Sequence, residues 1–559
     1  MKKYLQILFF IILAIAVSSL WLSALFHISN LWRGDSDNAF ALMNGYSILQ
    51  GNFLLKGYSS VYLNISADTY FYALWIKAFG FRPLLIHIIP LFQFIVLIAA
   101  AVFYVKEAGG NNPEDDEIST KIGIFMLFVF LAMPVKAFAF FMLQGMHVST
   151  IILSLIAVFI LAGFLKSESG GFFRLLLSFF VLTIAIINDS LTLVVCVMPL
   201  LSVMAAFIYT AFKTGKGVKK SRILLSALAV ISAVTLKKIV VYAFVVSGRL
   251  SVKPGGPAAA FVRLRDFPRN IYLYFSGLLR LFDANFFGKN LSDKFTFISL
   301  SKFAIISLIL IYTVPKLIKK FLNKFKGKEG RNHEYFYSKE FIDFTLLFGG
   351  IFLTLAFLLS NIPENKASAR YLTPLAVYWL ILSFRNIPAA VSKYYSRTGF
   401  KLTAAAVIIV YSVSFIYASL TPIPKSPERA LGNWLLKRNL THGYGSYWDS
   451  GIITLMTYGK VTVGQAAPIL FNGLFHRYDC SPEKKRYENK RFFVVYSKYF
   501  IYQGVNKQSI ICRFGKPSKI YVEDFQGTSG RAYGRIAGKY SRPPYVIMVY
   551  DDGAGKGKK

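Results

Sequence analysis

Long apolar segments alternate with short polar ones along most of the chain. An apolar run of about 20 residues crosses a bilayer core of roughly 30 Å, and such runs recur up to about residue 418. We predict eleven spans, at about 5–26, 83–105, 122–141, 148–165, 172–187, 190–212, 223–247, 302–315, 341–360, 371–384 and 402–418. After residue 418, polar and aromatic positions alternate among many Gly and Pro, which is typical of a small α/β or mainly β domain. The pattern therefore predicts a polytopic α-helical membrane protein with a C-terminal domain.

Lys and Arg are concentrated in alternate loops, at 213–222, 316–340 and 385–401. Because cytoplasmic loops carry this excess in membrane proteins, we place these loops and the N-terminus in the cytoplasm. An odd number of spans then places the C-terminus outside.

The resulting plan has a transmembrane domain at 1–418 and an extracytoplasmic domain at 419–559. Two large outer loops, 27–82 and 248–301, interrupt the first domain. We expect this plan in the inner (cytoplasmic) membrane of a bacterium, with the C-terminal domain in the periplasm. Cys480 and Cys512 can pair there, since that compartment permits disulfides.

Composition narrows the class of protein. The chain is 55% hydrophobic and 16% charged, with 64 Lys and Arg against 27 Asp and Glu and a net charge of +37. Soluble domains are about one quarter charged, so a disordered chain is excluded and a single soluble globule is disfavoured. Much of such a basic excess belongs in loops at the membrane surface, so we expect membrane lipids as partners and no nucleic acid.

Several motifs that bind nucleotides or catalytic metals are absent from the sequence. The sequence has no GxxxxGK[ST], no HExxH, no CxxC and no GxGxxG after a predicted strand. These patterns bind phosphates, catalytic zinc or dinucleotides. Any high-energy donor is therefore expected to arrive within the membrane.

Two carboxylates stand two residues apart where the first outer loop begins. Asp35 and Asp37 lie in the segment LWRGDSDN. Such a pair can bind a divalent cation through its oxygens, or one member can act as a general base toward an acceptor hydroxyl or amine. Either residue can instead cap a helix predicted to begin at Asn38. Asp68, later in the same loop, is a second acid or a turn residue.

Two further candidates lie at predicted outer turns. Asp189 stands between two apolar runs, where a carboxylate is usually functional or paired, although it can also cap the next span. His147 lies in FMLQGMHVST, and a lone histidine at such a turn is more often structural than chemical.

Cations near the tenth span are candidates for binding phosphate. Lys366, Arg370 and Tyr371 lie in NIPENKASARYLTP. Arginine binds phosphate with a bidentate fork, while the plainer alternative is interfacial snorkelling with Tyr371 as an anchor. Arg263, Arg265, Arg269 and Arg280 form another basic cluster, first interpreted as an interfacial face and only second as phosphate ligands.

The order of these motifs resembles the GT-C glycosyltransferases, which include protein O-mannosyltransferases, lipid A aminoarabinose transferases and the catalytic subunit of oligosaccharyltransferase. More narrowly, it is similar to a mannosyltransferase-related bacterial group. The resemblance rests on Asp35-Ser36-Asp37 with ALMNGYSILQGNF, on Met146-His147, on Asp189 through Pro199, on Arg370-Tyr371-Leu372-Thr373-Pro374, and on the tail segment LTHGYGSYWDSG. Trp448-Asp449 does not match the Trp-Trp-Asp peptide-binding motif, so sequon recognition is not expected.

The resemblance implies a GT-C-like fold and a polyprenyl-phosphate sugar as donor. Lys366 and Arg370, with Tyr371, would hold the lipid phosphate, and Asp35, with Asp37 second, would act as base toward the acceptor. Transfer would invert the anomeric carbon at the outer face, onto a lipid, glycan or protein acceptor. A divalent cation (Mg²⁺ or Mn²⁺) on Asp35, Asp37 and Asp189 is a further expectation, although the second acidic pair of metal-dependent members is not clearly present.

Two alternatives stay open on the sequence. A transporter, flippase or polymerase-like handler of lipid-linked glycans would favour intramembrane charges and internal repeats, and Lys237-Lys238 is the intramembrane charge identified here. A non-catalytic membrane scaffold would explain the basic tail but would leave Asp35 and Asp37 without a role.

Overall fold

The computed structural model divides the chain into two compact units. It describes residues 2–32, 36–55, 59–60, 67–107, 113–167, 171–214, 220–246, 251–252, 260–290, 292–325, 336–386, 398–465, 491–497, 507–525 and 544–551. Unit 1 consists of Met1–Ser29, Pro90–Lys238 and Pro257–Thr421. Unit 2 consists of Asn30–Ile89, Ile239–Gly256 and Pro422–Lys559.

Helices dominate the chain up to residue 420. In order they are α1 (Lys2–Ser29), α2 (Ser36–Leu49), α3 (Ala67–Phe79), α4 (Leu85–Lys106), α5 (Pro113–Ala132), α6 (Lys136–Leu143), α7 (Val148–Lys166), α8 (Phe172–Asn188), α9 (Met198–Thr214), α10 (Lys220–Val246), α11 (Phe267–Leu281), α12 (Lys294–Phe325), α13 (Phe336–Leu359), α14 (Thr373–Asn386) and α15 (Thr398–Leu420). A π-helical turn at Leu193–Val197 precedes α9, and 3-10 helices lie at Leu264–Asp266 and Lys366–Leu372.

A helix occupies each of the eleven predicted span positions. Within the described residues, eight helices are long and apolar enough to cross a membrane. α8 is a shorter apolar helix of 17 residues, and α14 has only 14 residues, almost all of them buried. The predicted span 302–315 was too short, since α12 covers 32 residues from Lys294 to Phe325. The prediction of a polytopic helical membrane protein is thus confirmed, with fewer than eleven full-length spans in the part of the chain that the structure describes.

The predicted span 122–141 is broken rather than continuous. Thr120–Ala132 and Lys136–Leu143 are bent by 87° at the break between them. Pro134 lies in that break, where it has no N–H to donate and disfavours helical backbone at Met133. Lys136 begins α6 with a φ of 49°, which is unusual for a residue other than glycine.

Arg385, assigned to a cytoplasmic loop on the sequence, is a buried residue at the end of α14. Its Nε donates to Asp343 Oδ1 at 2.7 Å and its Nη1 donates to the carbonyl of Tyr104. Both partners of this ion pair are buried. A buried guanidinium requires such a partner. Arg385 is therefore part of the packed interior of unit 1 and should not be counted among the cations of the loop 385–401.

Unit 2 contains a five-stranded mixed sheet. Its strands are β3 (His442–Gly445), β4 (Thr462–Gln465), β5 (Phe492–Ser497), β6 (Lys519–Glu523) and β7 (Tyr545–Tyr550), in the order β4-β3-β5-β7-β6. β3 is parallel to β4 and β5, whereas β7 is antiparallel to β5 and β6. Short strands β1 (Ser59–Ser60) and β2 (Ser251–Val252) pair separately. Since helices accompany the sheet, the α/β alternative is the correct one.

Three helices accompany this sheet, α16 (Pro427–Lys437), α17 (Tyr447–Met456) and α18 (Lys507–Phe514). Leu431, Ile453 and Phe493 are fully buried in the core on one side of it. Apolar residues of α2 and α3 pack with Ile452 and Leu455 of α17. A side chain at Gly451 would meet the Phe40 ring at 3.2 Å, so α17 and α2 approach closely. Protein therefore covers the apolar face of α2.

Candidate functional site

A carboxylate and an imidazole form a close pair in unit 1. Nδ1 of His147 lies 2.6 Å from Oδ2 of Asp189, and Thr150 Oγ1 donates to the same oxygen at 2.8 Å. The two side chains are 19% and 21% exposed, so they are partly withdrawn from water without being sealed. A carboxylate at Nδ1 fixes the ring orientation and leaves Nε2 free to face a ligand.

Local backbone geometry places this pair. His147 precedes α7 with a left-handed φ of 59°, and Gly145 turns the chain before it with a φ of 74°. α8 ends at Asn188, so Asp189 is the first residue beyond it, and the Leu191 amide donates to Asp189 Oδ1 at 2.9 Å. The left-handed backbone at His147 and the turn after α8 bring the side chains of His147 and Asp189 into contact.

The π-helical turn Leu193–Val197 follows Asp189 within the same connection. Gly349 of α13 lies against it, because a Cβ on that glycine would come within 2.8 Å of the Val195 carbonyl and of the Tyr378 ring. π-Helical turns occur frequently at functional sites. Here the turn lets α13 approach the backbone that carries Asp189.

The charge of Asp189 is stabilised by its neighbours. Burial alone raises the pKa of this carboxyl. The charge and hydrogen bond of His147, the Leu191 amide and the Thr150 hydroxyl more than offset this effect and lower the pKa to about 2. Hydrogen bonds to the ionised form have this effect. Asp189 is therefore a carboxylate at neutral pH, suited to orient His147 rather than to act as a proton donor.

Arg370 and Tyr371 lie beside this pair. The rings of His147 and Tyr371 have centroids 5.4 Å apart. Arg370 Nη2 donates to Tyr371 Oη at 3.0 Å, and its guanidinium lies 4.9 Å from the centre of the same ring. Tyr371 thus connects a guanidinium to the imidazole of the His147–Asp189 pair.

The 3-10 helix Lys366–Leu372 holds Arg370 in place. Asn365 caps it by accepting from the Ala367 amide at 2.8 Å, and Thr373 Oγ1 donates to the Arg370 carbonyl at 2.7 Å. Its other side packs on α11, where a side chain at Gly277 would meet Leu372 at 3.0 Å.

A second cation approaches Asp189 from α10. Lys237 Nζ donates to Ser190 Oγ at 3.0 Å, and Lys237 is close enough to Asp189 for their charges to interact. Lys237, which lies within a predicted span, therefore contacts other residues of unit 1. We use the term polar cluster for His147, Asp189, Lys237, Arg370 and Tyr371.

A buried lysine lies elsewhere in unit 1. Lys302 of α12 has no exposed surface, and its Nζ donates to Asp283 Oδ2 and to Ser414 Oγ, both at 2.8 Å. The second oxygen of Asp283 lies 2.5 Å from Nζ of Lys136. We call Lys136, Asp283 and Lys302 the buried triad; its one carboxylate takes one lysine on each oxygen.

The buried triad supports the elements that carry the polar cluster. Asp283 follows α11, which packs against both α6 and the 3-10 helix of Arg370. Lys136 begins α6, and the chain from the end of α6 leads through a four-residue turn to His147 at the start of α7. The triad therefore fixes α11 and the start of α6 relative to α12.

The predicted residues fall in both units. Asp35 lies outside the described residues. Asp37 belongs to the first turn of α2, which begins at Ser36, two residues before the predicted start at Asn38; the side chain of Asp37 lies outside the described residues. Asp68 lies in the first turn of α3 in unit 2. Lys366 is exposed at the start of its 3-10 helix in unit 1. Of the candidates, His147, Asp189, Arg370 and Tyr371 come together.

Asp283, Lys136 and Lys302 were not among the candidates predicted from the sequence. Lys136 stands inside the predicted span 122–141 and Lys302 at the edge of the span 302–315, so Lys237-Lys238 is not the chain's one intramembrane charge. A charged residue in an apolar run is a signal for a buried partner. The partner, Asp283, could not be chosen from the sequence because it lies 19 residues from Lys302 and far from Lys136.

Metal ligands are not grouped in the described part of the chain. No three His, Cys, Asp or Glu side chains there lie close enough to hold an ion. Asp189 already accepts from Thr150 and Leu191 and contacts His147. Cys196 is a buried free thiol, whereas Cys480 and the side chain of Cys512 lie outside the described residues.

Acid should weaken unit 1 through Asp189. Because folding lowers the pKa of this carboxyl to about 2, its contribution to stability is complete above about pH 4 and is lost as the pH falls toward 2. The melting temperatures of the wild type and Asp189→Asn, measured in detergent between pH 5 and pH 2.5, should converge as acid is added. Asp266→Asn, a change at an exposed acid, should show little gap to lose. A gap for Asp189→Asn that persists to pH 2.5 would contradict this account.

The chain was compared with known families, curated proteins and solved structures. No family model matches the chain, and no curated protein matches it. The chain is similar to the crystal structure of ArnT from Cupriavidus metallidurans bound to undecaprenyl phosphate. The two sequences are 9% identical, the match covers 98% of this chain and 99% of that chain, and the TM-score is 0.49. At this level the comparison assigns no role to any residue.

Proposed function

We propose that the chain is a GT-C-type membrane glycosyltransferase that takes a sugar from a polyprenyl-phosphate donor. The observation that carries the proposal is the polar cluster. Lys237 and Arg370, which are far apart in the sequence, both lie beside the half-buried His147–Asp189 pair in unit 1. Two cations exceed one carboxylate in charge, which suits an anionic group delivered from the membrane.

The cluster has the chemistry to hold a phosphate. A guanidinium binds phosphate oxygens with a planar pair of donors, and a lysine adds a point charge. Tyr371 restrains the Arg370 guanidinium on one side, which reduces the side-chain entropy lost on binding. Lys366, also predicted to bind the phosphate, is exposed four residues before Arg370 and extends the positive region.

The His147–Asp189 pair supplies a directed hydrogen-bond donor or acceptor. Asp189 occupies Nδ1, and no described residue hydrogen-bonds to Nε2. Nε2 is therefore the atom we assign to the phosphate or to the sugar. Fixed dipoles of this kind stabilise charge that develops as a leaving group departs.

The transfer itself is proposed to invert the anomeric centre. The acceptor oxygen or nitrogen attacks the anomeric carbon while the bond from that carbon to the phosphate oxygen breaks. The phosphate leaves with the electron pair, and the acceptor proton passes to the carboxylate of Asp35, with Asp37 as the second candidate. These two roles rest on the sequence resemblance.

Mg²⁺ or Mn²⁺ stays a prediction. If bound, a divalent cation would add positive charge near the departing phosphate. Asp189 is the described residue of the predicted ligand set, and its contacts with His147, Thr150 and Leu191 compete with such a role.

The predicted topology agrees with the proposed site. The turns that carry His147, Asp189 and Arg370 are separate in the chain and were all assigned to the outer side. Their convergence in unit 1 supports that assignment, and with it transfer at the outer face of a bacterial inner membrane onto a lipid, glycan or protein acceptor.

Lys302, buried within α12, and the broken pair α5–α6 favour a second candidate, a transporter or flippase of lipid-linked sugars. Intramembrane charges and broken helices are typical of transporters. The purified protein in liposomes, with total polyprenyl-phosphate sugars from bacterial membranes and an envelope fraction as acceptor, distinguishes the two. Mass spectrometry should show the sugar leaving its lipid and free polyprenyl phosphate rising. Donors that cross the bilayer intact would support the transporter instead.

A further inference from the structure

Two apolar side chains project from unit 1 just before α11. Phe261 is 87% exposed and Leu264 is 91% exposed, more than any other large apolar residue in the described part of the chain. On α11 itself, Tyr272 and Phe275 are 58% and 59% exposed, whereas Leu273 and Leu278 of the same helix are buried. The exposed apolar surface thus extends from residue 261 to residue 275.

This segment is held firmly on the end of α13. The Val262 amide donates to the Leu359 carbonyl at 2.8 Å, and the Asn361 amide donates to the Ala260 carbonyl at 3.0 Å. From the other side, Asn270 Nδ2 donates to the carbonyls of Leu358 at 3.0 Å and Ser360 at 2.7 Å. These bonds satisfy carbonyls that a helix end leaves unpaired. Phe261 and Leu264 are therefore displayed by a fixed backbone.

The attachment point sets the level of the segment in the membrane. Lys339–Leu359 is long and apolar enough to span a bilayer, and the segment pairs with its last residues. It therefore lies where a span leaves the hydrocarbon region. Aromatic residues are enriched at that level, and the exposed Phe261, Tyr272 and Phe275 fit it.

Cations alternate with the apolar residues. Arg263 and Arg265 flank Leu264 and are exposed, as is Arg269. Asp266 is the one acid between residues 260 and 275, and it lies 3.8 Å from Arg265. Arg269 is partly committed, because it donates to the Glu364 carbonyl. Exposed cations at this level are attracted to the negative surface of a membrane that contains anionic lipids.

We propose that residues 260–275 form an interfacial wedge, in which Phe261 and Leu264 insert among acyl chains while Arg263 and Arg265 bind the phosphate head groups of anionic phospholipids. The fixed backbone, the level of the α13 end and the alternation of Arg with apolar residues all favour a lipid occupant. A protein partner is the alternative that the experiments can reveal. The wedge is independent of the proposed sugar transfer.

The depth of Leu264 in the bilayer is tested with a nitroxide label at Leu264→Cys, in a variant that lacks the three native cysteines. In nanodiscs of phosphatidylcholine and phosphatidylglycerol, each label's accessibility to oxygen is divided by its accessibility to a nickel chelate. This ratio should be at least threefold higher for the label at Leu264→Cys than for a label at Glu364→Cys. Glu364 is exposed in the loop that follows α13. Equal ratios at the two sites, or a Leu264 label that neither reagent reaches, would overturn the wedge. A label at Phe261→Cys repeats the test if the first variant does not fold.

Head-group binding is tested by mass spectrometry of lipids retained after mild detergent extraction. From nanodiscs with equal amounts of the two lipids, the wild type should retain phosphatidylglycerol preferentially. Arg263→Gln/Arg265→Gln should lower the retained ratio at least threefold, while Lys121→Gln/Lys319→Gln removes two other exposed cations and should leave it near wild type. An equal fall in both variants, or none in the arginine variant, would contradict the head-group site.

Discussion

Replacing Asp283 by asparagine is expected to destabilise the protein by about 3–5 kcal/mol, because it leaves a buried ammonium without a counter-charge. Lys302 has no exposed surface, and its remaining described partner would be Ser414 beside the Tyr411 ring. Lys136 is 47% exposed and can turn to water, whereas Lys302 cannot. Burial acts to raise the pKa of Asp283, but Lys302 and Lys136 lower it overall. The variant should therefore unfold earlier in a thermal or denaturant titration of the purified protein.

Two further variants separate charge from packing. Asp266→Asn changes an acid that is 43% exposed, and a surface pair of this kind contributes about 0–1 kcal/mol. Asp283→Asn/Lys302→Met removes both buried charges and should recover much of the lost stability, since an apolar replacement of a buried pair is often neutral. Equal stability of Asp283→Asn and Asp266→Asn would refute the buried triad as a source of stability.

Arg370→Gln is expected to lower sugar transfer by about 100- to 1000-fold, the effect of removing one preorganised donor to a developing anion. The guanidinium lies on Tyr371, and the Tyr371 ring contacts His147, so the change removes charge from the polar cluster and leaves the carboxylate–imidazole pair. Arg370→Lys should recover part of the activity, because lysine keeps the charge and loses the fork. Release of polyprenyl phosphate from its sugar, measured in liposomes, gives the rate.

The control for this change is Lys319→Gln, which removes an exposed cation of α12. It should transfer sugar at close to the wild-type rate. The melting temperatures of Arg370→Gln and Lys319→Gln should both stay near wild type. An Arg370→Gln protein that is folded and fully active would remove the guanidinium from the proposed mechanism.

Apolar periodicity predicts this fold well where a helix is long and uninterrupted, as for α7 and α13. It fails where the backbone departs from one helix. Pro134 lies at the break between α5 and α6, where the chain bends by 87°. A hydropathy pattern gives the length of an apolar segment but not a change in the direction of its helix axis. Arg385 shows the limit of charge counting, since it is buried against Asp343 although the sequence places it in a basic loop.

The candidate site was partly predictable for a related reason. Polar residues at three predicted outer turns were the candidates: His147, Asp189, and Arg370 with Tyr371. Turns on the same side of a helical bundle are often close to one another. The pairing of His147 and Asp189 at 2.6 Å depends on the left-handed His147 and the turn after α8, which single residues do not reveal. The buried triad depends on contacts between α6, α11 and α12 that only the folded chain brings together. The roles of Asp35 and Asp37 remain predictions.

The most direct test of sugar transfer is a comparison of the wild type with Asp35→Asn/Asp37→Asn, each expressed in a strain that lacks the native gene. Mass spectrometry of envelope lipids, glycans and surface proteins, together with polyprenyl-phosphate sugars from the same cells, gives the result. At equal protein level, we predict that one sugar decoration disappears in the mutant while its lipid-linked donor accumulates, and the lost mass identifies the sugar and the acceptor. A mutant whose decorations and donors match the wild type throughout would contradict the glycosyltransferase account.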